Sequence, residues 1–314
     1  NSWLGLPHVH VADMPAGNYD HFGDPVCVQY RGREYVLVPL DSNGDREGIA
    51  VYDGEDVTNF LGFDFVNGDW HQGLCAWVAA HPTLVVTNGT TNVLLYSSTN
   101  DDVTNFTVHL LDMEALYKET NVLITPLRQV PLYYEDGSPY TMAKNAEYMQ
   151  GGEFTPSGDI LYVVAISDGL VAFDARDFFS LRRIRQASRN TMPFKYAYDP
   201  GATTDEPEGL TIWDLDDGRA PSIRGQLHVI VANWESPNDV MSIHHFTHKI
   251  HVDAATGSDT EFGRPLASVT QAVVQAWNGQ EIVVHAGDYP VPVIVTQRLR
   301  IVSQDGSAFI GGSP

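Results

Sequence analysis

Four short stretches of the chain each place polar, ionisable side chains beside a glycine at the start of an apolar run. They read HFGDPVCVQY (21–30), HQGLCAWVAAHP (71–82), MQGGEFTPSGD (149–159) and EPEGLTIWD (206–214). Together they supply eight candidate site residues: His21, Asp24, His71, Gln72, Gln150, Glu153, Glu206 and Glu208. Side chains of these types bind cations, hydrogen-bond sugars, or act as acid and base in hydrolysis.

The acidic members define a candidate divalent-cation site, whose ligands would be Asp24, Glu153, Glu206 and Glu208. Carboxylate oxygens suit Ca²⁺, which takes about six to eight oxygen ligands. Adding His21 and His71 would shift the preference to zinc, manganese or iron. We expect calcium or another divalent cation here. The alternative is that these polar groups hydrogen-bond the surrounding backbone and hold neighbouring sheets together.

The chain around these stretches has the pattern of β-strands. Short runs rich in Val, Ile, Leu and Tyr alternate with clusters of Gly, Asp, Asn and Pro, which predicts an all-β fold. Four hairpins are expected, and they join 34–40 to 48–53, 93–98 to 106–112, 160–166 to 169–174, and 226–232 to 240–246. More polar outer strands are expected at 60–65 and 181–186.

Each glycine-containing stretch opens one group of strands, and the starts are about 50, 79 and 57 residues apart. A recurring four-stranded unit of roughly 40–50 residues is typical of a β-propeller blade. Residues 113–146 in the long gap are either an insertion or a weak fifth blade, so we predict four blades with five as the alternative. The first strand of each blade lines a central channel, where glycine lets backbones approach closely. The eight candidate residues would then meet at the channel mouth.

The end of the chain has a different pattern, and we place a domain boundary between 1–250 and 251–314. Residues 267–277 have apolar positions at helical spacing, with Ser268 as the expected N-cap. Three short strands are expected after this helix, at 281–287, 291–296 and 298–304. We therefore predict a small C-terminal module with one short helix.

Composition narrows the possible partners. The chain has 314 residues, 18 basic against 40 acidic, and a formal net charge of −22. Nucleic-acid binding needs clustered Lys and Arg, so this balance argues against it, and no apolar run is long enough for membrane insertion. The acidity fits a secreted protein, a salt-tolerant protein or a binder of cations alike. The first residue is not Met, as after removal of a signal peptide, and we expect a secreted, extracellular protein. Cys27 and Cys75 are expected to be two buried thiols or one bridge between neighbouring strands.

Two resemblances add to this interpretation. Residues 16–250 resemble a set of bacterial secreted β-propeller proteins, through Gly23-Asp24-Pro25, Gln150-Gly151-Gly152 and Pro207-Glu208-Gly209-Leu210. More distantly they are similar to phytase-like and gluconolactonase-like propellers, and that similarity implies calcium or another divalent ion in the channel. Residues 250–312 resemble the first rungs of right-handed parallel β-helix proteins of the pectate-lyase type, which implies a β-helix-like module without the catalytic rungs.

Three functions are compatible with these features. The leading hypothesis is a carbohydrate-binding propeller that takes a small molecule or glycan at the channel mouth, and Trp3, Trp70, Trp77, Trp213 and Trp234 are either sugar-stacking faces or core residues. The second is a metal-dependent hydrolase of the lactonase or phosphoesterase kind, with Glu153 or Glu208 acting on a metal-bound water. The third is a structural protein that assembles with partners in a coat, fibre or matrix. No G-x-S-x-G, P-loop or H-E-x-x-H motif is present.

Overall fold

The computed structural model describes seventeen segments of the chain. They are 19–42, 48–56, 60–65, 77–98, 104–118, 124–134, 136–140, 149–165, 169–178, 180–187, 205–212, 227–233, 240–246, 249–259, 265–276, 281–296 and 298–311. Only the backbone is described for 19–22, 41–42, 60, 62–65, 182–187, 205–206, 233, 240 and 245–246. The described residues are mostly β-strand, which confirms the all-β prediction. No helix among them is long and apolar enough to cross a membrane.

The first sheet is an antiparallel meander. Its strands are β1 (Tyr19–Phe22), β2 (Val26–Tyr30), β3 (Arg33–Ser42), β4 (Gly48–Asp53) and β5 (Phe60–Phe65). β1 and β2 pair with opposite ends of β3, so Asp24 lies between them as part of one interrupted inner strand. Arg31 and Gly32 both have positive φ, 52° and 78°, the conformation of a type I′ hairpin turn.

The second sheet takes up part of the long gap between the glycine-containing stretches. It contains β6 (Ala79–Ala80), β7 (Val85–Thr87), β8 (Thr90–Ser97), β9 (Asn105–Asp112) and, after the short helix α1 (Met113–Tyr117), β10 (Ile124–Tyr133). Asp112 caps α1 by accepting hydrogen bonds from the amides of Glu114 and Ala115, both at 2.9 Å. β10 pairs with β9 as the outer strand. The described part of 113–146 therefore extends the second sheet.

The third and fourth sheets repeat the same plan. The third contains β11 (Met149–Phe154), β12 (Ile160–Ala165), β13 (Gly169–Asp174) and β14 (Leu181–Ala187), and the fourth contains β15 (Asp205–Ile212), β16 (Leu227–Asn233) and β17 (Val240–Phe246). All four predicted hairpins and both outer strands are confirmed by these elements. A short parallel pairing between β10 and β14 joins the second and third sheets at their outer edges.

Apolar side chains pack successive sheets face to face. One cluster joins the first and second sheets through residues such as Leu37 and Leu95, a second joins the second and third through Phe106 and Phe173, and a third joins the third and fourth. Face-to-face meanders whose first strands meet at one place form the arrangement of a β-propeller.

The C-terminal segment has parallel pairing instead. β18 (Ile250–Val252) is followed by α2 (Val269–Gln275), β19 (Glu281–Val284), β20 (Gly287–Tyr289), β21 (Arg300–Ser303) and β22 (Ala308–Ile310). The strands form two parallel stacks, β18–β19–β21 and β20–β22. We call this segment the parallel stack. The predicted N-cap is confirmed, because the Ser268 hydroxyl accepts a hydrogen bond from the Gln271 amide at 3.2 Å.

One predicted strand of this segment is wrong. Residues 291–296 are irregular, and Val291 and Ile294 are exposed by 56% and 84%. Pro290 precedes this run and Pro292 lies within it; both lack the N–H that a strand ladder requires, so the start of the run cannot pair. The pairing is made instead by β20 and β22, on either side of it.

Candidate functional site

Asp24 is the residue at which the inner strands meet. Its backbone forms a bridge to Trp77 beside β6, and its carbonyl accepts a hydrogen bond from the Val78 amide at 3.4 Å. Its side chain reaches the two sheets beyond. Carboxylate Oδ2 accepts hydrogen bonds from the amides of Gly152 on β11, at 3.3 Å, and Leu210 on β15, at 3.2 Å. One residue therefore contacts the inner strands of all three other sheets.

Glycines make this convergence possible. A Cβ added to Gly151 would lie 2.7 Å from Asp24 Oδ2 and 2.8 Å from the Cα of Gly209, and one added to Gly209 would lie 2.7 Å from Asp24 Oδ1. A Cβ on Gly152 would lie 2.3 Å from the Trp77 ring. Side chains at these positions would force the inner strands apart. This close approach is what the sequence predicted for the repeated glycines. We call Asp24 with Gly151, Gly152, Gly209 and Glu153 the axial centre.

Trp77 forms one wall of the axial centre and is fully buried. Its indole Nε1 donates to the Ser98 hydroxyl at 2.7 Å, and its ring packs edge-on against Phe106 with centroids 5.3 Å apart. It is therefore a core residue, and its sugar-stacking alternative is wrong. Trp3, Trp70, Trp213 and Trp234 lie outside the described residues.

Two carboxyl groups of the axial centre have strongly perturbed proton affinities. Burial raises the pKa of Glu153 to about 7. Burial also raises the pKa of Asp24 well above its usual range; the Leu210 and Gly152 amides oppose this rise, and the charge of Glu153 adds to it. The charge of Glu153 thus acts on Asp24, although the two residues come from different sheets. Perturbed carboxyl pairs of this kind are common in functional sites.

The other predicted residues of the channel mouth are only partly described. Gln150 and Glu208 are partly buried, and each lies at a β-bulge, between Met149 and Gly151 and between Pro207 and Gly209. His21 and Glu206 are placed on β1 and β15 by their backbones, but their side chains are outside the described set, as are the whole of His71 and Gln72. The structure thus joins Asp24 to Glu153 and leaves the full set of eight a prediction.

The four-carboxylate metal site is not formed by the described side chains. Among the residues that the structure describes, no group of three or more His, Cys, Asp or Glu side chains is arranged to hold a metal ion. Asp24 Oδ2 instead accepts hydrogen bonds from two backbone amides. This matches the alternative that the polar groups hydrogen-bond the backbone and hold neighbouring sheets together. The side chain of Glu206, one of the four predicted ligands, lies outside the described set, so the four-carboxylate site stays a prediction.

Cys27 lies near the axial centre, where the charge of Glu153 acts on it. The sequence did not predict that these two residues are neighbours. It is a free thiol on the exposed side of β2, not the buried thiol that the sequence predicted. Partial desolvation of the sulfur raises its pKa, with contributions from the charges of Glu34 and Glu153. The alternation of β2 could have revealed its exposure, since Val26 and Val28 are the buried positions. Cys75 lies outside the described residues.

Comparison with known proteins gives structural matches alone. No family model matches the chain, and no curated protein matches it. A GH43 β-xylosidase/α-arabinofuranosidase from a compost microbial metagenome, solved with xylotriose, is 12% identical with a TM-score of 0.43, covering 72% of this chain and 70% of its own.

Two further matches are weaker in TM-score. A GH43_1 enzyme from Xanthomonas citri, solved with xylose, is 11% identical with a TM-score of 0.42, over 71% of this chain and 68% of its own. The C-terminal domain of Pseudomonas aeruginosa PilY1 is 17% identical with a TM-score of 0.31, over 67% of this chain and 43% of its own. Such values assign neither family nor activity, so the function has to follow from the chain's own residues.

Proposed function

We propose that this chain is a secreted β-propeller that binds a small molecule or glycan at the axial centre. The observation that carries this proposal is the Asp24 carboxyl group, which accepts hydrogen bonds from the inner strands of two other sheets and whose pKa is raised by burial and by the charge of Glu153. We further propose four blades, one for each described meander, and a parallel stack that forms the first turns of a β-helix-like module.

The protonation of the pair suits a ligand with hydroxyl groups. A pKa of about 7 leaves Glu153 partly protonated near neutral pH, so its carboxyl group can both donate and accept hydrogen bonds. A sugar hydroxyl also donates and accepts. Buried polar groups that converge in this way fix the orientation of a ligand and discriminate against molecules that leave them unpaired.

A divalent cation is the competing occupant of the same place. Two acidic groups whose charges repel each other would both be stabilised in their ionised forms by a bound Ca²⁺. The cation would draw its remaining oxygens from predicted ligands whose side chains are not described, such as Glu206. The metal-dependent hydrolase alternative requires this cation, so a metal measurement decides whether hydrolysis is worth testing.

The decisive experiment compares three proteins. Wild type, Glu153→Gln and the exposed control Glu55→Gln are first analysed for bound metal by elemental mass spectrometry and then titrated with the strongest ligand from a glycan array. We expect wild type and Glu55→Gln to bind equally, and Glu153→Gln to bind roughly tenfold or more weakly because it loses a buried hydrogen-bonding carboxyl group.

Each other outcome has a defined meaning. Equal glycan binding by wild type and Glu153→Gln would refute the axial centre as the binding site. A metal retained by wild type and Glu55→Gln but lost from Glu153→Gln would establish the cation and open the screen of lactones and phosphoesters. A protein that binds neither metal nor glycan would leave the pair with a purely structural role.

Assembly with other proteins is a second candidate function, favoured by one exposed apolar strip. Ile230 on β16 pairs directly with Ile243 on β17, and Met241 lies two residues away on the same face. Their exposed fractions are 39%, 62% and 72%. Contiguous exposed apolar groups often mark protein contacts. Sedimentation velocity of wild type and Ile243→Glu would show the strip to be such a contact if only wild type self-associates.

A further inference from the structure

A cavity lies where the third sheet meets the parallel stack, apart from the axial centre. It has a volume of about 190 Å³ and is half open to solvent. The third sheet contributes Asp159, Ile160, Asp174 and Arg176, and the parallel stack contributes residues 298–300, Arg-Leu-Arg. Neither the predicted site residues nor the proposed axial function involves this cavity.

Three arginines and two aspartates line this cavity, and a further acid, Glu281, pairs with one of the arginines. The whole chain has 18 basic residues against 40 acidic ones, yet three arginines meet here. Arg176 pairs with Asp174 through two of its nitrogens, with Nε 2.7 Å from Oδ1. Arg300 Nη1 donates to Glu281 at 2.6 Å. A guanidinium has five N–H donors, so neither ion pair exhausts its arginine.

Arg298, from the parallel stack, is the third arginine that lines the cavity. Its charge acts on Asp174, because it is one of the cations that lower the pKa of that carboxyl group. The cavity is therefore lined by guanidinium groups from two segments that are far apart in the chain. Arginine forks recognise planar carboxylates with paired hydrogen bonds, which makes a carboxylate the expected anion.

The other residues that line the cavity indicate which further chemical groups the ligand has. Asp159 and Asp174 would repel a compact, multiply charged anion such as sulfate, but their oxygens can accept hydrogen bonds from hydroxyl groups. Ile160 and Leu299 offer aliphatic surface to C–H groups. The volume is below the roughly 300–1,000 Å³ of pockets for drug-sized ligands, so it suits one small ring. We propose that this cavity binds a single carboxylated monosaccharide, a hexuronate.

The test is a calorimetric titration of the full chain with D-glucuronate, D-glucose and acetate. We expect glucuronate to bind roughly tenfold or more tightly than either of the others, because only glucuronate satisfies both the arginines and the aspartates. Arg298→Gln should weaken glucuronate binding by about tenfold or more. The exposed control Arg31→Gln should leave it unchanged, since Arg31 contacts Glu114 elsewhere.

A second variant protects the test against a folding defect. Asp159→Leu removes a hydroxyl acceptor and also a negative charge that acts on Arg176. We therefore expect the ratio of glucuronate affinity to acetate affinity to fall in this variant. Absence of glucuronate binding, equal binding of acetate, or unaltered binding by both variants would overturn the inference. Glu153→Gln distinguishes this cavity from the axial centre. We expect the variant to bind glucuronate as wild type does. If it did not, glucuronate would bind at the axial centre, and a site at this cavity would be refuted.

Discussion

Asp24 and Asp174 are the same residue type, both partly buried, and their surroundings push their pKa values in opposite directions. Burial raises the pKa of Asp24, and a second acid, Glu153, raises it further. Burial would also raise the pKa of Asp174, but Arg176 and Arg298 outweigh it and lower the value. Asp24 accepts hydrogen bonds from neutral backbone amides, whereas Asp174 accepts them from the guanidinium and the amide of Arg176 and also lies in the field of Arg298.

The difference shows what each region is built to do. A carboxyl group held by amides beside another acid is costly to ionise, so the axial centre favours protonated or cation-bound carboxyls. A carboxyl group bound by a guanidinium stays charged, so the cavity keeps both negative carboxylates and positive guanidiniums. The first region can exchange a proton near neutral pH, and the second can recognise an anion without changing protonation.

The largest effect is expected from removing the acceptor at the axial centre. Asp24→Leu leaves the Gly152 and Leu210 amides without their partner, and each unsatisfied buried amide costs about 1–3 kcal/mol. We expect the free energy of unfolding to fall by roughly 3–5 kcal/mol in urea titrations followed by fluorescence. Asp24→Asn keeps an acceptor oxygen and should cost much less. Equal losses in the two variants would show that the hydrogen bonds to Asp24 are not what stabilises the centre.

The sequence predicted the strands well because alternation and turn residues are local signals. The β3–β4 and β12–β13 hairpins follow from buried runs bounded by Gly and Asp. β10 was missed because Pro126 and Pro131 argue against a strand. It forms because it is the outer strand of the second sheet. Among the described residues its other edge pairs near its C-terminal end alone, with β14 and through a bridge from Tyr133 to Pro139, and an edge tolerates proline.

The position of the axial centre was predicted, and hydrogen bonding to the backbone was one of the two chemistries expected for it, but the partners of Asp24 were not. The repeated glycines predicted that the inner strands converge, because backbones can approach closely only where glycine starts the strand in each unit. That the Asp24 carboxylate would accept from amides 128 and 186 residues away could not be read from the chain, because such bonds depend on how sheets pack. The arginines of the cavity beside the parallel stack were missed for the same reason: Arg176 and Arg298 meet only across the two segments.

A smaller effect is expected from filling the space between inner strands. In Gly151→Ala the new Cβ would lie 2.8 Å and 2.9 Å from backbone atoms of Gly209 and Leu210, which cannot move aside like a side-chain tip. We expect a loss of about 1–3 kcal/mol in the same urea titrations. Gly287→Ala in the parallel stack is the matched control, because its nearest contact would be an ordinary 3.5 Å. A neutral Gly151→Ala would mean that β11 and β15 are not in tight contact.

The sharpest test of the contrast is the pH dependence of stability, whose expected size is similar to that of Gly151→Ala. Glu153 has a folded-state pKa of about 7 against an ordinary value of 4.5, so between these pH values the folded chain binds more protons than the unfolded chain. Stability must then fall as pH rises through this window, by on the order of 1–3 kcal/mol, and Glu153→Gln should flatten the profile there.

Asp174 has the opposite sign: its lowered pKa gives stability that is present above pH 3.8 and lost as pH falls below it. Asp174→Asn should therefore flatten only the acid limb. If Glu153→Gln changed the acid limb instead, the proton near neutral pH would not reside on the axial pair, and the chemical distinction between the two regions would fail.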